Sequence, residues 1–482
     1  MYYLGFDIGT SALKTILMDE YQEILYDSAQ NYQYDKPEEG YKEMNPEIWF
    51  QAVYSELKHV TARFREQKIA AVGVTGQMHT TVFLDKWGRV IRPAIMWNDT
   101  RTKDEIDDLK KKLAEHQETR YISKIISTGS PAVNILWIKE NEPEHFKKTV
   151  RIMTAYDYIV YRLTGRCSCD YCGASTSSFY DIQTKRWSET MLRYTGIKKE
   201  MLGEIHRSCD VIGMIHPELC AKLKISYPVK VIAGTGDNPA TAAAMGILDQ
   251  KEPVISLGTS GVVIYPKKDG DFDGKGKNVL FCAKGNEMIN ICQGVVQAAG
   301  GAHKWWIEQI LSADQMGIDQ DRMEVLGDNQ VLFYPHIAGD KTLYSDAGLR
   351  GAFLNLGSYT RREHMTQAVL EGVAYAVREV LETMGMKETP EKMRVSGGES
   401  RSPVWMEIMA NVLRTQIEVH ETKESPGYGI CLLAAMADTG MKKRKTESEE
   451  KNIYMPDTET IKKYEKTYRK YQRIHDAVME IR

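Results

Sequence analysis

Features typical of nucleic-acid binders, membrane proteins and secreted proteins are missing from this chain of 482 residues. Lys and Arg total 63 against 66 Asp and Glu, a formal net charge of -3, so no basic excess is present to bind nucleic acid or anionic lipid. No apolar run approaches the roughly 20 residues that span a bilayer, and the first residues lack the pattern of a signal peptide. We therefore expect a soluble, cytoplasmic protein that acts on small molecules, without nucleic acid or membrane as partner.

A disulfide framework and two common nucleotide motifs are also missing. The eight cysteines are scattered, as expected for reduced thiols. Only Cys167, Cys169 and Cys172 cluster, and no neighbour supplies a fourth zinc ligand at a standard spacing, so no metal is expected there. The chain contains no Gly-x-x-x-x-Gly-Lys-Ser/Thr sequence, and Gly5 to Gly9 lacks the spacing of a dinucleotide fingerprint. A phosphate site must therefore be built in another way.

A short internal repeat is present instead. The segment 8–11 (Ile-Gly-Thr-Ser) recurs at 257–260 (Leu-Gly-Thr-Ser), and each copy lies between two apolar stretches. Both copies predict a strand, a tight turn and a second strand. Because each copy opens one half of the chain, we expect a duplicated architecture with domains at 1–247 and 248–482.

Strand-like and helix-like segments alternate along both halves, which indicates α/β layers. Strands are predicted at 69–74, 229–233 and 393–395, and helices at 46–66, 105–115, 362–384 and 404–413. The charged run 442–451 predicts a surface loop. The segment 461–481 predicts one packing helix, with Tyr464, Tyr468, Tyr471 and Ile474 on its inner face.

The first repeat predicts a phosphate site. Asp7 ends a buried strand just before a turn whose glycine lets backbone N–H groups and hydroxyls approach an anion. Thr10, Ser11 and Lys14 would then bind a nucleotide phosphate, while Asp7 would hold Mg²⁺ through water. An ordinary hairpin turn is the alternative interpretation.

The second repeat predicts the other side of the same site. Gly258 and Thr259 would face the first turn across a cleft and clamp a polyphosphate between the domains. Gly397 and Gly398 join a strand to a helix, a geometry that admits a ribose or a flat ring against bare backbone. Adenosine would fit there, although a lone Gly-Gly turn also precedes many ordinary helices.

An acid at a strand end predicts a catalytic base. Asp237 follows a predicted strand and precedes a predicted helix, in which Asn238 suits the N-cap and Pro239 the first helical position. A carboxylate placed there can accept the proton of a substrate hydroxyl as its oxygen attacks phosphorus. A turn or capping acid is the alternative.

Polar side chains at two further strand ends predict a sugar site. Gln77, Met78 and His79 follow the strand 69–74, and Trp97 follows the apolar segment 93–96. Amide, imidazole and indole groups offer the donors, acceptors and flat apolar face that a polyhydroxylated ligand requires. For His79 the alternative is a structural histidine beside a core strand.

Taken together, these motifs resemble those of the FGGY family of carbohydrate kinases, within the actin-like ATPase superfamily, and most of all its xylulokinase branch. The resemblance spans nearly the whole chain. It implies an α/β fold of two ribonuclease-H-like domains around a central cleft. It also implies ATP-dependent phosphorylation of a ketopentose, with D-xylulose as the expected substrate and ATP and Mg²⁺ as cofactors.

The resemblance assigns a role to each matching residue. The expected base is Asp237. The expected sugar contacts are Gln77, Met78, His79, Trp97, Asp237 and Asn238; the nucleotide contacts are Thr10, Ser11, Lys14, Gly258, Thr259, Gly300, Gly301, Gly397 and Gly398; the Mg²⁺ contacts are Asp7 and Asp237.

Some positions depart from the family pattern and leave alternatives open. Thr80 stands where a small Gly is usual, Glu399 where a small residue is usual, and Lys341 and Tyr344 where Arg and His are usual. A kinase for another sugar or polyol, such as ribulose, L-xylulose or gluconate, is therefore the main alternative. A sugar sensor without turnover and an actin-like or chaperone ATPase are the others. The sequence leaves a homodimer open.

Overall fold

The computed structural model describes residues 1–481 apart from 104–105, 249–251, 269–270, 272–273, 286, 312–322, 324, 421–424 and 439–451. Two seven-stranded sheets dominate it, one formed by each half of the chain. Helices pack on the outer face of each sheet, and two further helices fill the space between the sheets.

The strands of the first half are β1 (Tyr2–Ile8), β2 (Ala12–Asp19), β3 (Ile24–Asn31), β4 (Glu43–Met44), β5 (Ile69–Gly76), β6 (Thr81–Leu84), β7 (Ala94–Ile95), β8 (Arg151–Thr154), β9 (Ser168–Asp170), β10 (Tyr180–Asp181), β11 (Arg186–Trp187), β12 (Glu204–His206), β13 (Val211–Met214), β14 (Lys230–Ile232) and β15 (Thr235–Gly236). Its helices are α1 (Pro46–Arg63), α2 (Ile106–Ala114), α3 (Arg120–Ile125), α4 (Pro131–Asn141), α5 (Pro143–Lys148), α6 (Ala155–Thr164), α7 (Tyr171–Thr176), α8 (Glu189–Thr195), α9 (Pro217–Leu223) and α10 (Asp237–Ala244). The sheet has the strand order β13-β14-β5-β1-β2-β3, and β15 pairs with β5.

The strands of the second half are β16 (Val254–Leu257), β17 (Gly261–Lys268), β18 (Lys277–Phe281), β19 (Ile289–Val296), β20 (Leu332–Tyr334), β21 (Ala352–Leu354), β22 (Lys392–Ser396), β23 (Gln416–Val419) and β24 (Asn452–Tyr454). Its helices are α11 (Gly300–Trp305), α12 (Arg362–Thr383), α13 (Pro403–Leu413), α14 (Pro426–Ala437), α15 (Thr458–Tyr471) and α16 (Ile474–Ile481). The second sheet has the order β18-β19-β17-β16-β22-β23-β24, so β18 lies at one edge.

The two repeats fold alike. In each half the repeat forms a tight turn between two antiparallel strands, β1 with β2 and β16 with β17. Each hairpin then pairs in parallel with a later strand, β5 in the first half and β22 in the second. The predicted strand, turn and strand are thus confirmed in both places.

Helices α10 and α14 join the halves. They share a core with apolar side chains of both sheets, among them Ile16 of the first and Ile264 of the second. At their crossing Gly429 lies so close to α10 that a Cβ there would come within 1.8 Å of the carbonyl oxygen of Ala240. Only a glycine allows this approach. The division at 247/248 stays a prediction, and α14, although late in the sequence, covers the first sheet.

Two local predictions are wrong. The segment 461–481 is not one helix, because α15 ends at Tyr471 and α16 begins at Ile474; the predicted inner residues Tyr464, Tyr468 and Ile474 are nevertheless buried. Helix α10 begins at Asp237, with Gly236 as its N-cap, rather than at Pro239 with Asn238 as its N-cap. Pro239 is tolerated because the N–H groups of a first helical turn have no partners within the helix.

The predicted loop 442–451 lies outside the described residues. In the part of the chain that the structure describes, no helix is long and apolar enough to cross a bilayer.

Candidate active site

Three neighbouring strands of the first sheet end at one edge, and their ends carry two acids. Asp7 of β1 pairs in register with Thr75 of β5, and Thr75 pairs with Thr235 of β15. Asp237 follows β15 directly. The parallel arrangement therefore brings Asp7 and Asp237 to the same edge, although 230 positions separate them in the sequence.

The two carboxylates affect each other. Asp7 is 5% exposed, and burial together with the Asp237 carboxylate raises its pKa to about 7, against an opposing effect of the Lys14 ammonium. Lys14 lies opposite Asp7 in the β1–β2 register. Burial also raises the pKa of Asp237, and Lys277 opposes that rise. Asp237 is partly exposed.

The first repeat turn is held by several hydrogen bonds. The Gly9 N–H donates to the Ala12 carbonyl (3.0 Å), and the Gly9 carbonyl accepts from the Tyr32 hydroxyl (2.7 Å) and from Gln77 Nε2 (2.8 Å). Thr10 is partly exposed and Ser11 is exposed. The turn is thus rigid at its base and open at its tip, as a phosphate site requires.

Trp97 reaches this turn from the predicted sugar site. The residue is 48% exposed, and its Nε1–H donates to the Thr10 hydroxyl oxygen at 3.0 Å. Because that oxygen accepts from Trp97, the hydroxyl hydrogen of Thr10 points elsewhere and can be donated to a ligand. The structure therefore brings a predicted sugar contact and a predicted phosphate contact together.

The segment from Gln77 to His79 lines the same edge. Met78 is buried beside Cys172, whose Sγ lies 3.4 Å from the Met78 sulfur. Desolvation and the nearby Lys277 ammonium lower the pKa of His79 to about 3, so its ring is neutral at pH 7. A neutral imidazole has one donor and one acceptor, which suits sugar hydroxyls.

Gln77 and Asn238 differ in what remains for a ligand. Gln77 is 4% exposed, and both ends of its amide are bonded within the protein: Nε2 to the Gly9 carbonyl and Oε1 to the Thr80 hydroxyl. Asn238 is partly exposed, and its backbone N–H donates to Asp237 Oδ1 at 2.9 Å. The role of each as a sugar contact stays a prediction.

The second repeat turn contacts the start of α11. The N–H of Gly300 donates to the Gly258 carbonyl (2.9 Å), and that of Gly301 donates to the Thr259 carbonyl (2.8 Å). These four predicted nucleotide residues are thus brought together. The N–H groups of Gly300 and Gly301 are thus already bonded within the protein. These glycines would therefore let a ligand approach the backbone closely, but would not donate hydrogen bonds to it.

The Gly397–Gly398 turn lies against the same turn. Gly397 adopts a φ of +96°, and a Cβ on it would come within 2.4 Å of the Leu257 carbonyl oxygen. Glu399 follows, and its carboxylate meets His303 Nδ1 at 3.2 Å. A Cβ on Gly300 would come within 2.7 Å of Glu399 Oε1, so the Glu399 carboxylate lies against the predicted nucleotide residue Gly300.

Sequence patterns do not indicate Lys277, which reaches the site from the second half. It lies on the edge strand β18, which meets α7 through a hydrogen bond from the Leu280 N–H to Ser175 Oγ (3.1 Å). Val279 packs with Met78 and Cys172, and in a strand Lys277, two residues before it, points to the same side. Its positive charge helps to lower the pKa of His79 and opposes the rise in the pKa of Asp237.

Two members of the cysteine cluster, Cys169 and Cys172, are buried, and Cys167 is partly buried. All eight cysteines are free thiols, and burial raises the pKa of Cys169 and Cys172 well above the usual value. Within the described residues no group of three or more His, Cys, Asp or Glu side chains is arranged to hold a metal ion.

The family now follows from comparison. The model for the N-terminal domain of the FGGY family of carbohydrate kinases matches residues 2–246, and the model for its C-terminal domain matches 254–437. The chain belongs to this family. Its two-domain α/β fold, with the architecture of actin-like ATPases, is that of the FGGY kinases.

Individual relatives agree with this family. The chain is 30% identical to a xylulose kinase of Staphylococcus xylosus, over 98% of this chain and 100% of that one. The crystal structure of a xyloylose kinase from Brucella ovis is similar over the whole of both chains, with a TM-score of 0.82 and 28% identity. A gluconokinase of Bacillus subtilis is 26% identical over 90% of this chain and 87% of that one.

Proposed function

We propose that this protein transfers the γ-phosphate of ATP to a ketopentose, with D-xylulose as substrate and D-xylulose 5-phosphate as product. The observation that carries the proposal is the partly exposed Asp237 carboxylate at a strand end, beside Asp7 and next to the predicted sugar residues Met78 and His79. Similarity to xylulose kinases over nearly the whole chain supports the substrate.

Asp237 is the proposed base. The terminal hydroxyl of the sugar attacks the γ-phosphorus, the bond from phosphorus to the β-γ bridging oxygen breaks, and the hydroxyl proton passes to the Asp237 carboxylate. Thr10 donates its free hydroxyl hydrogen to a phosphate oxygen, and the predicted contacts Ser11, Lys14 and Thr259 bind the rest of the polyphosphate. A general base contributes about 10² to 10⁴ in rate.

Asp7 and Asp237 fit a magnesium ion. Mg²⁺ in phosphoryl-transfer enzymes takes one or two protein carboxylates and completes its shell with water and substrate phosphates. Two acids near one another, one of which has its pKa raised to about 7 partly by the other, form such an oxygen donor set. When bound, the ion neutralises charge on the phosphates.

The test is ADP release with Mg²⁺-ATP across D-xylulose, L-xylulose, D-ribulose, L-ribulose and gluconate. D-xylulose is expected to give the highest kcat/KM. Asp237→Asn is expected to lower sugar-dependent turnover by 10² or more while it retains nucleotide binding and the thermal stability of the parent. Asp107→Asn, on the exposed side of α2, is the matched control and is expected to leave turnover unchanged. Near-parental turnover in Asp237→Asn would overturn the role of Asp237.

A second candidate substrate is a sugar acid, and Lys277 favours it. The ammonium group acts on His79 and Asp237, so it lies close to the predicted sugar site. A carboxylate on the substrate would pair with this cation, as a neutral ketose would not. The similarity to a gluconokinase supports the same class.

Lys277→Met separates the two candidates. If the natural substrate is a sugar acid, this variant should lose at least tenfold in kcat/KM for gluconate and little for D-xylulose, while Lys277→Arg keeps the preference. If the substrate is D-xylulose, the parent should show no preference for gluconate.

A further inference from the structure

A ring of hydrogen bonds connects the predicted sugar site to the first repeat turn. Gln77 Nε2 donates to the Gly9 carbonyl at 2.8 Å, and the Thr80 hydroxyl donates to Gln77 Oε1 at 2.6 Å. The backbone N–H of Trp97 donates to the Thr80 hydroxyl at 3.1 Å, and the indole N–H of Trp97 donates to the Thr10 hydroxyl at 3.0 Å. The ring therefore starts at Gly9 and returns to its neighbour Thr10.

Thr80 links Gln77 to Trp97 within this ring. Its side chain is fully buried, and its one hydroxyl both donates to Gln77 and accepts from Trp97. Without that hydroxyl, the Gln77 carbonyl oxygen would lose a buried hydrogen bond, and the partly buried Trp97 N–H would lose its partner as well.

We propose that Thr80 is a positioning residue that couples sugar binding to nucleotide binding. The inference rests on the proposed function, because it needs a sugar at Trp97 and a phosphate at Thr10. A sugar that contacts the exposed Trp97 ring fixes the indole, whose N–H orients the Thr10 hydroxyl. Through Gln77, Thr80 also holds the carbonyl side of the same turn. Each ligand thus orders groups that the other one needs.

The coupling factor between the two ligands tests the proposal. The Kd for D-xylulose, or for the best sugar of the panel, is measured by calorimetry with and without a non-hydrolysable ATP analogue. In the parent chain the analogue should tighten sugar binding at least fivefold, within the usual range of such couplings. Thr80→Val, which keeps the shape and removes the hydroxyl, should reduce the factor below twofold, and Thr80→Ser should restore most of it.

A matched control separates coupling from general damage. Thr195→Val also removes a buried hydroxyl, one that bonds only to carbonyls of its own helix, and it should lower stability without changing the coupling factor. If Thr80→Val does not fold, Trp97→Phe breaks the same ring at the surface and should also reduce the factor. A full coupling factor in Thr80→Val or in Trp97→Phe, or no coupling in the parent, would overturn the proposal.

Failure of the proposed function gives a different result. In that case no sugar of the panel binds or is phosphorylated by the parent chain. The ring is then judged on nucleotide affinity alone: Thr80→Val should weaken binding of the ATP analogue at least threefold relative to Thr195→Val, although Thr80 is fully buried. Equal affinity in the two variants would overturn the proposal.

Discussion

Asp7 and Asp237 lie at the same edge of the first sheet, and the Asp237 carboxylate helps to raise the pKa of Asp7 to about 7. Repulsion between two buried carboxylates lowers the free energy of unfolding, and proteins retain it where function needs both charges. Asp7→Asn is therefore expected to raise the free energy of unfolding by about 1–2 kcal/mol and to lower sugar phosphorylation at least tenfold. Urea denaturation and ADP release measure the two effects, and Asp27→Asn, on exposed β3, should change neither. A variant that is both active and unchanged in stability would contradict this account.

The crossing of α10 and α14 predicts the effect of a single methyl group. Gly429→Ala would place a Cβ about 1.8 Å from the Ala240 carbonyl oxygen, so the helices must separate. Overpacking of this kind costs about 1–3 kcal/mol, which calorimetry would detect as a lower Tm. Gly398→Ala is the control for stability, since a Cβ there meets nothing within 4 Å. Equal Tm values for the two variants would show that the helices adapt without cost.

Glu371 predicts a pH dependence of stability. It is 2% exposed, and burial raises its pKa to about 7 despite hydrogen bonds from Gln367, Tyr464 and Asn329. A carboxyl whose pKa is raised by folding stabilises the fold when protonated. Its contribution is complete below the unfolded pKa of about 4.5 and is lost as the pH rises to about 7.

Glu371→Gln removes this titration. The unfolding free energy of the variant minus that of the parent should rise between pH 5 and 7, by at most about 1.4 kcal/mol per pH unit, and level off above pH 7. Urea denaturation at several pH values measures the difference. Glu391→Gln, in an exposed loop, should show a flat difference. A flat difference for Glu371→Gln as well would mean that the acid is ionised in the folded protein.

Glu399 predicts a preference among nucleotides. Its carboxylate lies beside Gly300, where it would repel phosphate but accept hydrogen bonds from ribose hydroxyls. We expect Glu399→Gln to weaken ATP binding about tenfold and 2′-deoxyATP binding much less, measured by calorimetry. Glu407→Gln, exposed on α13, is the control. Equal losses for the two nucleotides would exclude a contact with the 2′-hydroxyl.

Most of the confirmed predictions of strands and turns depend on local sequence patterns. The repeated turns at 8–11 and 257–260, and the strand before Asp237, could be identified because each depends on a few neighbouring residues. The predicted start of α10 is wrong, because Asn238 is a residue favoured at the N-cap and Pro239 one favoured at the first helical position. The sequence does not show that a strand, β15, continues to Gly236 and that the helix begins directly after it. The break after Tyr471 carries no Gly or Pro to mark it.

Contacts between distant segments could not be predicted. Trp97 meets Thr10 across 87 positions, and Lys277 reaches the site only because β18 packs on α7. Thr80 was noticed as unusual for the family, but its partners depend on how two loops meet at the sheet edge. Tertiary packing decides these features, and a single sequence contains no periodic trace of them.

Helix α14 has a consequence for how the chain is made. Its Cys431 thiol contacts the carbonyl oxygens of Tyr3 (3.7 Å) and Ile16 (3.3 Å), so one of the last helices completes the layer against the first two strands. During synthesis, the face of β1 and β2 that α14 covers therefore stays uncovered until the residues up to Ala437 have been made. The final structure of the early half should therefore form together with that of the late half.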